Sequence, residues 1–278
     1  MSERKLGLQF DRFMDEQVAS EILWRGYFID SKSWLVEAIE NWMKFAESDP
    51  IRSGDPRLQV YAKVAIITFT VQAIEDFACM GYAYLRSLDE GPARIYEYVR
   101  DFAKPGLPKA KAEVGTVDKF FHKISNDNRS LTSVTGFEPD SEEFRATRDH
   151  LKSVQNFHDK YYRLYLKFKH GQAFVVLGTE PPAVYLIPDS VERKDGLVRF
   201  PSEANIVSVD EWKLASDLII RVNGYFANLR TQSRRLFPEW QKEAAQLYSD
   251  LLRMWPEARK EYLRTRESAT PKDNASEP

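Results

Sequence analysis

"YAKVAIITFTVQAIEDFACMGYAYL", residues 61–85, decides how the rest of the chain is read. On a helical wheel its apolar residues fall on nearly every side, interrupted chiefly by Lys63, Gln72, Glu75 and Asp76. A surface helix shows a single apolar stripe, whereas a helix that is apolar all round belongs inside. Asp55 and Pro56 supply an N-cap and first-turn pair ahead of it, and "DEGP" (89–92) ends it. The spacing predicts a helix from Arg57 to about Leu88 as the central member of a bundle. Its most apolar piece, Val64–Ile74, is too short for a bilayer, which needs about 20 apolar residues.

Working outward, residues 11–48 show helical spacing, with Trp34, Leu35, Ala38, Ile39, Trp42 and Phe45 as one stripe. On the other side, Pro92 starts a shorter helix to about Ala103, and "KPGLPKAKAEVG" (104–115) reads as a loop. A short helix is expected over Val117–Ile124, with "NDNRSLTSVTGFEPD" (126–140) mostly irregular. Asp140 and Glu143 form a capping-box pattern, and the helix they open should run to His170, where Gly171 stops it.

The texture then changes. "QAFVVLG" (172–178), "AVYLIP" (183–188) and "LVRFP" (197–201) are β-type runs separated by turn residues. They predict a two- or three-stranded antiparallel element over roughly 172–208. Ser208 and Glu211 make a second capping box for a helix to about Leu236. Pro238 opens a last helical stretch, which Pro256 kinks or splits. The polar tail 268–278 is expected to be disordered. The fold class is therefore mainly α: a multi-helix bundle of six to eight helices with a small antiparallel β insertion. No internal repeat or linker divides it, so residues 1–267 are expected to form a single helical domain.

Composition narrows the function classes. The chain has 278 residues, 43% of them hydrophobic and 13% aromatic, which is enough for a core without disulfide or metal staples. A formal net charge of −2 argues against a general nucleic-acid coat or a polybasic membrane binder. With Cys79 as the single cysteine, an intrachain disulfide, thiolate clusters and CxxC chemistry are excluded. The stretch "MSERKLGLQFDRFMDEQ" has no apolar h-region. A soluble, cytoplasmic protein with no membrane partner, cofactor or metal is expected.

Two charged features stand out. Glu75 and Asp76 interrupt the most apolar helix, about 100° apart, so at least one should face inward. A buried carboxylate needs a partner or must neutralise. The second feature is "YYRLYLKFKHG" (161–171), whose Arg163 and His170 differ in direction by only about 20° on a helix. Lys167 lies between them, opposite an apolar arc of Val154, Phe157, Tyr161, Leu164, Tyr165 and Phe168. This basic stripe is the natural partner for the acids, and it is equally the pattern of a solvated helix face whose last-turn cations suit the helix dipole.

A long helix carrying Arg163 and, after six residues, His170, with Glu75 or Asp76 on an earlier helix, resembles the HEPN superfamily. The likeness covers about residues 57–171. It implies a metal-independent endoribonuclease of a stress or defence system, with RNA as substrate. Arg163 would hold phosphate, His170 would act as acid or base, and Lys167 with Glu75 or Asp76 would position them. Members usually form homodimers with two motif helices facing one groove. The alternative is a non-catalytic helical protein that uses the basic stripe to bind a protein partner or a nucleotide.

Other candidates are weaker. Arg145 and His150 repeat the Arg/His spacing but diverge by about 140° on a regular helix. His122 and His158 are lone histidines beside aromatics and read as packing residues. Arg230, Arg234 and Arg235, near Tyr225 and Phe226, could grip a phosphate backbone.

Overall fold

The computed structural model describes residues 30–48, 55–90, 111–169, 174–187, 192–194, 197–199 and 205–236, and five single positions beyond them. Residues 11–29 of the expected first helix, the expected helix at 92–103, all but those five positions after Leu236, and the tail lie outside the described residues. So does His170.

The central helix is present as read. We label α1 Asp30–Ser48, α2 Arg57–Glu90, α3 Lys111–Asn126, α4 Asn128–Thr135, α5 Glu142–Lys169 and α6 Trp212–Leu236. Helix α2 touches every other described helix and buries residues on all sides, among them Val64, Ile67, Ile74 and Phe77 at 0% exposure. Asp55 starts it as expected, accepting the Arg57 backbone N–H at 2.9 Å. By length and composition α2 could cross a membrane, but 83% of its most apolar window is buried against its neighbours. Thr70 ties it to α6, donating to the Ala215 carbonyl at 3.1 Å. Gly81 lets α3 approach: a Cβ there would sit 2.3 Å from the Phe120 ring.

Several local expectations change. Helix α3 begins at Lys111, so residues 111–115, expected as loop, are helical. The stretch read as irregular contains α4, whose ends are both capped. Asp127 accepts from the Arg129 and Ser130 N–H groups, and Gly136 closes the helix at φ 76°. Helix α5 is capped by Ser141, which accepts the Phe144 N–H at 3.1 Å, one residue later than the expected Asp140. Ser208 bonds to Asp210 at the end of a strand, and α6 starts only at Trp212.

The largest change is the orientation of α1. Val36, Met43 and Ala46 are buried, while Trp34 is 67% and Phe45 51% exposed, with Leu35 and Trp42 also on the outside. Both faces of α1 are apolar, and the smaller side chains pack closely against α2.

The β insertion is antiparallel. Strands β1 (Phe174–Thr179), β2 (Pro182–Leu186) and β5 (Ile206–Ser208) form a sheet in the order β1-β2-β5. Strands β3 (Glu192–Lys194) and β4 (Leu197–Arg199) pair only with each other. The third strand of the sheet is thus Ile206–Ser208, and Leu197–Arg199 belongs to a separate two-stranded pair. Val184 and Leu186 are buried from β2, where the sheet joins the core.

Candidate functional site

Both acids of α2 are buried, Glu75 at 7% and Asp76 at 3% exposure. Being adjacent on a helix, they point toward different neighbours. Asp76 meets α1, where Lys32 forms a salt bridge with its Oδ2. Glu75 meets α5: the Tyr165 hydroxyl donates to its Oε2 at 2.7 Å, and Lys169 Nζ lies 3.8 Å from the same oxygen. The phenol of Tyr165 is held well above its ordinary range, first by burial and then by the Glu75 charge. It therefore remains a donor to the carboxylate.

The basic stripe is divided by the fold. Arg163 is exposed, as its place in the polar arc implied. Lys167, expected on the same wet face, is 4% exposed and so belongs to the interior. Lys169, absent from the expected stripe, is an α5 cation that reaches Glu75. Lys169 follows Tyr165 by one turn, which puts both side chains over the same stretch of α2.

A polar seam on the inward face of α5 was also missed. His158 and Tyr162 stack at 5.0 Å between ring centroids, and Tyr162 lies 6.2 Å from Tyr165. Their spacing of four, three and then four residues to Lys169 is that of a core-facing ridge, where aliphatic residues are the rule. His158 is 5% exposed, its Nδ1 lies 3.0 Å from an Asp159 carboxylate oxygen, and its buried Nε2 has no hydrogen-bond partner among the described residues. Sequence periodicity carried the signal, because the His158–Tyr162–Tyr165 ladder falls in the apolar arc, but aromatic neighbours made it look like ordinary packing.

A second polar tie joins α5 to α6. Tyr161 donates to Glu211 at 3.1 Å, and Lys160 bridges to the same carboxylate at 2.8 Å. Burial, then Glu211, raises the Tyr161 hydroxyl. Elsewhere, His150 is bonded to the Tyr225 hydroxyl at 2.9 Å, while Arg145 is exposed and reaches the Asp140 carbonyl. That pair diverges as the helix geometry requires. Phe226 is 3% exposed and packs in the core, and Tyr225 is half-buried against Phe77.

Two surface grooves lie apart from the acids. One, of about 660 Å³, is lined by Tyr82, Lys119, His122 and Asn126 among others. The other, of about 620 Å³, runs between the start of α2 and the β1–β2 turn. No group of three or more His, Cys, Asp or Glu side chains converges as a metal site among the described residues. Comparison with protein-family models, curated proteins and solved structures finds no match to this chain.

Proposed function

We propose that the chain is a HEPN-like helical protein that acts on RNA at the C-terminal end of α5, as a metal-independent endoribonuclease. The observation that carries this reading is the anchoring of that helix end. Tyr165 and Lys169 hold it against the buried Glu75, while Arg163, two residues before Tyr165, stays exposed. A phosphate-binding guanidinium then projects from a rigid turn, a condition for stabilising charge in a transition state. Arg163 holds the phosphodiester, and His170 takes the proton from the ribose 2′-hydroxyl or delivers one to the leaving oxygen. Glu75 and Asp76 are positioning residues in this scheme, since their carboxylates are engaged by Tyr165, Lys169 and Lys32 and do not reach substrate. Lys167, being buried, acts with them.

A specific observation favours a second reading. Of the basic groups at the end of α5, Lys167 is buried and Lys169 lies 3.8 Å from Glu75, so part of the positive charge there is already matched within the fold. A protein that binds a partner or a nucleotide without cleaving it needs no more than this. RNA cleavage in EDTA by wild type, Arg163→Ala and His170→Ala, each checked by thermal melting, separates the two. Cleavage that both folded variants lose supports the nuclease. Folded wild type that leaves diverse RNAs intact, yet loses binding in Arg163→Ala, supports the binding protein.

A further inference from the structure

We propose that the exposed face of α1 is the contact between two copies of this chain, paired antiparallel about a two-fold axis level with Ile39 and Glu40. The proposal is independent of any activity at α5.

Helix α1 is pinned in its present orientation. Lys32 is bridged to the buried Asp76, Asn223 of α6 donates to Ser33 at 2.7 Å, and Val36 and Met43 are each 2% exposed. The helix cannot roll to hide its other face without breaking all of these. That other face carries Trp34, Leu35, Trp42 and Phe45, exposed at 67%, 48%, 39% and 51%. Together they present roughly 450 Å² of mostly apolar surface, as large a patch as a typical monomer shows anywhere.

The pattern around the patch matches itself when reversed. Trp34 and Phe45, eleven residues apart, share a direction to within about 20°, so an antiparallel copy sets each against the other. On one flank Leu35 faces the copy's Trp42. On the other, Glu37 faces the copy's Lys44 twice over, once on each side of the axis, as flanking charges do in antiparallel helix pairs. Both are exposed. Ala38 and Asn41 lie between the aromatic ends, each facing the other in the copy, and are small enough for close approach. The four large side chains alone would hide about 900 Å² in such a pair, and their neighbours bring this toward the ~1,200 Å² of a stable interface. An anionic lipid surface fits less well, because α1 also bears Glu40 and Glu47.

Sedimentation velocity on the full chain from 1 to 100 µM tests this. We expect a reversible dimer that Phe45→Glu weakens by about thirtyfold or more, with an unchanged circular dichroism spectrum and melt. Glu37→Lys and Lys44→Glu should each weaken it by about fivefold, and the double variant should return to within about twofold of wild type. Recovery in the double variant is the signature of the antiparallel pairing. A monomer throughout the range overturns the proposal, as does a dimer indifferent to Phe45→Glu. Single reversals that weaken the dimer without recovery in the double variant overturn it too. Trp34-dependent binding to neutral phosphatidylcholine vesicles by a monomeric protein would reassign the face to a membrane.

Discussion

Helices α1 and α5 pack against the same central helix and use opposite chemistry to do so. Helix α1 presents small and medium apolar residues to α2 and turns two tryptophans and a phenylalanine outward. Helix α5 turns a histidine and two tyrosines toward the core, and Tyr165 with the exposed Lys169 meets an acid that α2 carries in its otherwise apolar interior. The same acid pair explains both. Asp76 draws in Lys32 and so sets the rotation of α1, while Glu75 draws in Tyr165 and Lys169 and sets that of α5. Burial of hydrophobic area is roughly proportional to surface and has no direction, whereas a buried carboxylate must have a donor at a definite place. The two carboxylates therefore add a directional constraint that the much larger apolar area does not supply.

The comparison breaks most visibly if α1 loses its charge tie. Lys32→Met leaves Asp76 buried without this partner and should cost about 3 kcal/mol of unfolding free energy. Chemical denaturation checks this, and adding Asp76→Asn should recover part of the loss. On the other side, Tyr165→Phe removes a hydrogen bond to a buried charged group and should cost about 2 kcal/mol. A loss in Tyr165→Phe as large as that in Lys32→Met would mean Lys169 contributes little at its 3.8 Å.

His158 sharpens the contrast from the opposite direction. Its buried Nε2 has no hydrogen-bond partner among the described residues, so His158→Phe should raise stability by about 1 kcal/mol. If RNA cleavage or binding falls in that more stable variant, the seam serves function and is not merely tolerated.

A pH titration adds a further distinction. Burial, assisted by Arg221, lowers the pKa of His150 in the folded state, so the fold favours its neutral form. The stability this contributes is present above the unfolded value of about 6.5 and is lost as pH falls through the folded value. Melting temperature should decline from pH 7 to 5, less steeply in His150→Gln. An identical slope in both proteins would rule His150 out as the titrating group. The smallest effect belongs to the outer face of α1, where Trp34→Glu should change monomer stability by less than about 0.5 kcal/mol.

What was legible from the chain follows the same division. The central helix could be read because apolar residues on all sides of residues 61–85 leave no other place for it. The β insertion could be read from its alternation and turns, and the burial of at least one acid from its setting, though not that both are buried. Helix α4 was not, since eight residues rich in Ser, Thr and Asn carry only two turns of pattern and their caps matter more than their propensity.

By itself, the sequence determined a mainly helical protein around one buried helix, because periodicity and composition are local properties of the chain. Which face of α1 turns inward, which cation answers each acid, and that Lys167 is buried while Arg163 is not were decided only by the tertiary structure. Each depends on the direction from which a distant helix arrives, and a wheel drawn for one helix contains no information about its neighbours.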